Sequence, residues 1–129
     1  MGLPPGRLAK TGKRRALIGA APEEIVFTGG GTEADNLAVL GAAAARPAGR
    51  NHLVTSAIEH PAVLNACKSL ADGGCELTVL AVDSNGRIDP GPVREAIRDE
   101  TFLVSVMHGN NEIGTIEPIA EAARAAREK

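Results

Sequence analysis

Tryptophan and tyrosine are absent from this 129-residue chain, and its only aromatic rings besides histidine belong to Phe27 and Phe102. A core must therefore be assembled from Ala, Val, Leu and Ile, and a platform on which successive nucleic-acid bases stack is not expected. Cysteine is almost as scarce. Cys67 and Cys75 have no C-x-x-C spacing, so they offer neither a zinc knuckle nor a disulfide framework, and they fit a reducing, cytoplasmic setting. An excess of charge is missing too: 14 basic against 16 acidic residues leave a formal charge of −2, which gives no general attraction to nucleic acid or anionic lipid. The one cationic stretch, Arg7, Lys10, Lys13, Arg14 and Arg15, reads as a solvated helix face. Met1 to Ala9 holds no apolar run, so no signal peptide is expected, and neither a membrane nor nucleic acid is expected as a direct partner.

What is present is an ordinary soluble composition, 43% hydrophobic and 23% charged, at a length that suits one core rather than two. From Glu24 onward, short β-branched runs alternate with helical patterns, the signature of a layered α/β domain with a mostly parallel sheet flanked by helices. Strands are expected at Ile25–Thr28, His52–Thr55, Glu76–Val82 and Phe102–Met107. The last is the most apolar and lacks alternation, so it is expected to be central. Helices are expected from Thr32, as N-cap, to about Ala45 with Leu37, Leu40, Gly41 and Ala44 on one face. Others are expected from Pro61 to Gly73-Gly74 with a Val63, Cys67, Leu70 stripe, from about Pro92 to Arg98 behind an Asp89 cap, and from about Pro118 onward. Asp83-Ser84-Asn85-Gly86 reads as a turn. The chain reaches Lys129 inside the last helical pattern, which suggests a truncated domain. The division expected is an N-terminal segment, 1–21, helical in part, and a partial large domain, 22–129.

Chemistry gathers after the strands. Gly29-Gly30-Gly31 followed by a Thr32-capped helix would present free backbone N–H groups and a positive dipole end to an anion, phosphate above all. The same residues make a tight turn without any ligand. They also satisfy a loose G-x-G-x-x-A dinucleotide pattern, yet the acid that should hold a ribose is missing where His52–Thr55 ends, and Glu59 comes too late. His60 and His108 each follow a strand's carboxyl end, where open α/β sheets place ligands. A metal cluster from His52, His60, His108 and Glu112 is not expected, because His52 begins a strand while the other two histidines follow one. Asn110-Asn111 can be a plain turn or can supply an amide to an oxygen on a bound ring. Cys67 reads as a core residue, and neither cysteine has a neighbouring base that would make it a thiolate.

Read whole, three segments resemble the cysteine desulfurases of the NifS/IscS branch within the class-V aminotransferase-like superfamily. Ile25-Val26-Phe27-Thr28-Gly29-Gly30-Gly31-Thr32-Glu33-Ala34-Asp35-Asn36-Leu37-Ala38 is similar to their phosphate loop, and Glu59-His60-Pro61-Ala62-Val63-Leu64 to their histidine motif. His108-Gly109-Asn110-Asn111-Glu112-Ile113-Gly114 is similar to their H-x-N-N-E-x-G segment, and order and spacing agree over about Pro22 to Lys129. The resemblance implies part of the large domain of the aspartate-aminotransferase-like fold and pyridoxal 5′-phosphate as cofactor. It assigns Gly31 and Thr32 to the cofactor phosphate, His60 to stacking on the ring as the catalytic residue, and Asn111 to the ring's hydroxyl oxygen. It implies removal of sulfur from L-cysteine to leave L-alanine, a persulfide on a mobile-loop cysteine, a homodimer, and a sulfur-acceptor or scaffold protein in iron–sulfur cluster assembly or thiolation.

The chain departs from that family in lacking a lysine in a Ser-x-His-Lys motif, the aspartate for the pyridine nitrogen, the loop cysteine and an opening Asn-Ala-Ala-Thr-Thr segment. It is therefore expected to be inactive alone. A nucleotide-binding module using the glycine loop, and a non-catalytic partner of a full-length desulfurase, are the alternatives.

Overall fold

A computed structural model describes residues 18–128, in two compact units, Met1–Gly30 and Gly31–Lys129. The cationic stretch at 7–15 and the closing Lys129 lie outside the described residues.

In the described part of the first unit, Pro22–Glu24 makes a single 3-10 turn, closed where the Ala21 N–H donates to the Glu24 carboxylate. The strand expected at Ile25–Thr28 does not form: these residues run without regular structure, and Val26 is 66% exposed. Their β-branched side chains favour an extended backbone, but a strand exists only where a neighbour completes its ladder. The Thr28 hydroxyl instead donates to the Gly30 carbonyl at 3.1 Å, closing the glycine turn.

The second unit is an α/β layer. Three parallel strands, β1 (His52–Ser56), β2 (Glu76–Leu80) and β3 (Thr101–Ser105), lie in the order β2-β1-β3. Helices α1 (Gly31–Ala44) and α2 (Pro61–Asp72) cover one face, and α3 (Pro90–Ala96) and α4 (Ile119–Arg127) the other. Period-2 alternation in β1 divides the core. Leu53 packs with Val39, Val63, Ala66 and Cys67, whereas Val54 packs with Leu80, Ile88, Val93, Ile97, Ala122 and Ala125. Each such fully buried Leu or Val contributes roughly 1.5–3 kcal/mol.

β1, not the more apolar β3, is therefore the central strand, and β3 lies at one side of the three-stranded sheet. All five β1 residues are buried although three are polar. Two of the three are partnered by neighbours, while Thr55 Oγ1 has no hydrogen-bond partner of standard geometry. His52 bridges Thr101 Oγ1 (2.7 Å) and Thr78 Oγ1 (2.8 Å), one on each adjacent strand, and Ser56 bonds Glu59. Apolar count alone misjudges such a strand.

In α1 the expected face is reversed. Leu37 and Leu40 are 52% and 42% exposed, Gly41 and Ala44 are exposed as well, and Val39 and Ala43 point inward. The helix begins at Gly31, so Thr32 stands inside its first turn rather than ahead of it, and the Thr32 carbonyl accepts from Asn36 Nδ2 at 2.8 Å. α2 begins at Pro61 and ends before Gly73-Gly74, with Val63 and Cys67 buried, as its pattern indicates. α3 starts two residues earlier than expected, with Asp89 Oδ1 accepting from Gly91 N at 2.9 Å. In the expected turn, Asp83 Oδ1 accepts from Asn85 N and Arg87 N, and these backbone donors hold its carboxyl below the usual carboxylate range.

The residues between β3 and α4 are clasped onto that turn. Glu117, 3% exposed, accepts the Ile88 N–H on Oε2 at 2.9 Å, and the Thr115 hydroxyl donates to the Asn85 carbonyl at 2.5 Å. Replacing Glu117 by Ala strips a buried N–H of its acceptor and should cost about 1–3 kcal/mol. Gln keeps an acceptor in place and should stay within about 1 kcal/mol of wild type. Urea unfolding of the two variants checks this, and an Ala variant as stable as wild type would contradict the clasp.

Candidate functional site

Parallel strands bring their carboxyl ends to one edge, so the chain leaving Ser56, Leu80 and Ser105 forms three neighbouring loops. His52 lies at the opposite edge, away from His60 and His108, as the strand order dictates. Among the described residues no group of three His, Cys, Asp or Glu side chains stands where it could hold a metal ion.

Two of the loops are stitched together. Glu59 is 6% exposed, and its Oε1 accepts the Ser56 hydroxyl at 2.7 Å and the Met107 N–H at 2.6 Å. Burial is the largest influence on its carboxyl and pushes its pKa up. The Met107 and Ser56 donors oppose that shift, and the Asp35 and Glu117 carboxylates add to it. A second stitch runs from Asn110 Nδ2 to the Ile58 carbonyl at 3.0 Å. Asn110 Oδ1 accepts from the N–H groups of Glu112 (2.8 Å) and Ile113 (3.1 Å), and the Asn110 carbonyl accepts from Gly114 N, whose φ of +75° suits glycine.

Between the stitched loops lies a cleft of ≈ 40 Å³, lined by Ile58, Glu59, His60, Met107, Asn110 and Asn111 among others. His60 caps α2: its Nδ1 accepts from Ala62 N at 3.1 Å, so the ring proton resides on Nε2 and the ring's tilt is held by the helix. Asn111 is exposed and spends no side-chain hydrogen bond on the described residues, in contrast to Asn110 beside it. His60 and Asn111, assigned to the site from sequence, are thus brought to one cleft. His108 is exposed, and its carbonyl accepts from Glu117 N at 2.9 Å. Gly31 and Thr32 do not line the cleft; they lie exposed in the first turn of α1.

Those positions suit a phosphate-bearing ring compound. A Cβ on Gly31 would meet nothing within 4 Å, and Gly31 does not have positive φ, so neither packing nor backbone geometry demands glycine there. The Asn111 amide remains available to a ring substituent, and the His60 ring is anchored at Nδ1 by the Ala62 N–H. The donor set fits pyridoxal phosphate: a helix start for its phosphate, an imidazole face and an amide for its ring.

Glu59 and Asn110 were not singled out as site residues in the sequence. The signal available was an acid directly before His-Pro at a strand end, and an Asn placed to bond its own backbone two and three residues on. Cys67 is wholly buried, and burial raises its thiol pKa against the opposing influence of the adjacent Thr55 hydroxyl. Among the described residues, Thr55 Oγ1 and Glu117 Oε1 are buried side-chain atoms without a hydrogen-bond partner of standard geometry.

The family model for aminotransferase class-V matches residues 11–129. The cysteine desulfurase IscS of Anaeromyxobacter sp. (strain K) is 54% identical over 112 residues, 87% of this chain and 28% of that protein. The solved structure of a NifS-like protein superposes with a TM-score of 0.89 at 32% identity, covering 95% of this chain and 34% of the other. That of SspA in complex with cysteine gives 0.83 at 42% identity, covering 95% and 37%. The chain spans about 30% of the length of the curated relatives it matches. No helix among the described residues is long and apolar enough to cross a membrane.

Proposed function

We propose, since the chain belongs to the aminotransferase class-V family, that residues 22–129 form the cofactor-receiving part of a pyridoxal-phosphate-dependent cysteine desulfurase. The observation that carries this reading is one cleft, at the carboxyl edge of the sheet, that holds both a capping His60 and an unspent Asn111. The N–H groups of the first turn of α1, from Gly31 and Thr32, together with the Thr32 hydroxyl, bind the phosphate through hydrogen bonds and the helix dipole. His60 offers its ring face to the pyridine and keeps its proton on Nε2 because the Ala62 N–H occupies Nδ1. Asn111 donates its amide to the ring's hydroxyl oxygen. When bound, pyridoxal phosphate supplies the electron sink for the reaction.

The reaction breaks the Cβ–S bond of L-cysteine. Its sulfur passes to a thiol as a persulfide while a proton replaces it on Cβ, leaving L-alanine. The accepting thiol is not Cys67, which is wholly buried. Sulfur would then go to an acceptor or scaffold protein for iron–sulfur cluster assembly or thiolation, and the working form would be a homodimer, in the cytoplasm. The relative solved in complex with cysteine supports this substrate. A nucleotide-binding role for the glycine loop finds less support, because no strand precedes that loop.

Calorimetric titration of the chain with pyridoxal phosphate and, separately, NAD tests the reading. Binding of the first at least about tenfold tighter than the second is expected, a preference of roughly 1.4 kcal/mol. The reverse preference would assign the site to nucleotides.

A further inference from the structure

We propose that Glu59 is the positioning residue of this site, its buried carboxylate clamping the carboxyl ends of β1 and β3 so that His60 and Asn111 stand a fixed distance apart. The inference rests on the reading that the cleft takes pyridoxal phosphate.

Chain adjacency carries one half of the argument. Glu59 directly precedes His60, and Oε1 holds Ser56, the last residue of β1, through a 2.7 Å bond. The loop that carries the imidazole is thereby tied to its own strand. The other half is the Met107 N–H on the same oxygen, which ties that loop to the chain leaving β3. Asn110 repeats the connection from the far side, reaching back to the Ile58 carbonyl and bracketing Asn111 through the Glu112 and Ile113 amides. Asn111 is thus framed by its neighbours without losing its own amide.

A carboxyl is a costly choice for a purely structural bridge. It is nearly excluded from water, and the Asp35 and Glu117 carboxylates face it without a cation among its influences. A neutral acceptor would hold the same donors at lower cost to stability, so Glu59 breaks a local rule where the site lies, as positioning groups do. Both donors converge on Oε1, which leaves Oε2 to carry a proton, and the clamp survives protonation. The sign of its linkage follows. With a folded pKa raised above the 4.5 of the free side chain, the folded state binds the proton more tightly. The stability gained is full below pH 4.5 and is lost as pH rises through the raised value.

The test compares the full chain with E59A and E59Q. Amide hydrogen exchange reads the clamp without ligand. E59A should speed exchange about tenfold at Met107 and Ala62, the second reporting the His60 cap, while Val54 and Thr55 keep their protection. E59Q, which keeps the acceptor, should retain wild-type rates at Met107 and Ala62. Ligand binding gives a readout that loss of stability alone would not move. E59A should bind pyridoxal phosphate about tenfold more weakly while its weak binding of inorganic phosphate at α1 is unchanged, and E59Q should restore the ring contribution. Wild-type exchange at Ala62 in E59A, equal loss of both ligands, or E59Q behaving as E59A would overturn the proposal. If E59A does not fold, Ser56→Ala removes one of the two donors, and unaltered exchange at Ala62 there would count equally against it. A wild-type chain that binds no pyridoxal phosphate defeats the cofactor reading, while the exchange data still decide the clamp.

Discussion

Incubated with L-cysteine, pyridoxal phosphate and a thiol reductant, the purified 129-residue chain should release no sulfide above the level of cofactor and buffer alone. Two groups that the chemistry needs have no candidate among the described residues. A covalent anchor for the cofactor requires a lysine beside the cleft, and Lys68 is the single lysine described. It lies on α2, eight residues beyond the His60 cap, so its Cα is about 12 Å along the helix axis from the cleft. A lysine stem spans roughly half that distance, and Lys68 points into solvent. A persulfide-forming thiol must be accessible and ionisable, whereas Cys67 is wholly buried with its pKa raised, and Cys75 lies at the amino end of β2, the edge away from the cleft. Sulfide release well above background, lost on substituting His60 by Ala, would show that this chain carries its own catalytic set.

A separately expressed full-length relative would bring its own turnover, so sulfide released by such a mixture says nothing of this chain. The informative control is therefore binding rather than turnover: pyridoxal phosphate bound without turnover separates a receiving wall from a working enzyme. In this respect the geometry and the departures from the family pattern agree. Of the residues proposed to receive a cofactor, His60 and Asn111 line one cleft beside the buried Glu59 stitch, and Gly31 and Thr32 lie in the first turn of α1. Among the described residues, no lysine and no accessible thiol lies beside that cleft.

Much of this was legible in the sequence because it depends on local chemistry. Pro61 behind His60, Gly73-Gly74, the Asp89 cap and the Asp83–Gly86 turn each announce an element boundary through their own backbone preferences, and each appears where expected within a few residues. His60 and Asn111 both follow a strand end, which is why the same cleft holds them both. What was not legible depends on partners distant in sequence. Ile25–Thr28 has the composition of a strand without the neighbour that would make it one. The inward face of α1 is set by α2 and β3, against which it packs, and not by its two leucines. The place of β1 at the centre of the sheet depends on Thr78 and Thr101, remote residues that satisfy His52. Glu59 escaped notice as a site residue because its partner Met107 is 48 positions away.

Replacing His52 by Ala should be the most destabilising single change in the sheet, at about 3 kcal/mol or more. The ring is 1% exposed and spans all three strands, with Nδ1 on Thr101 and Nε2 on Thr78. Thr101 Oγ1 also accepts from the Arg98 N–H at 2.9 Å, and a neutral ring offers one donor and one acceptor to the two threonine hydroxyls. Alanine would open a cavity at the centre of the sheet and leave buried hydroxyls without their ring partner. Acid should act in the same direction. Burial is the largest influence lowering the His52 pKa, with the Arg98 guanidinium next, against smaller opposing influences of Glu76 and Glu100. Because the unfolded ring takes a proton near 6.5 and the folded ring resists it, the unfolded state binds more protons below that value. The stability contributed by the neutral ring is therefore full above pH 6.5 and is lost as pH falls through the lower folded value. Urea midpoints measured from pH 7.5 down to 5 should fall for wild type and fall less steeply for His52→Gln, which cannot take the proton. The Glu59 carboxyl slopes the other way in its own range, so the difference between the two proteins, not the wild-type curve alone, isolates the ring. Parallel curves for wild type and His52→Gln would show that the bridge across the strands does not depend on a neutral imidazole.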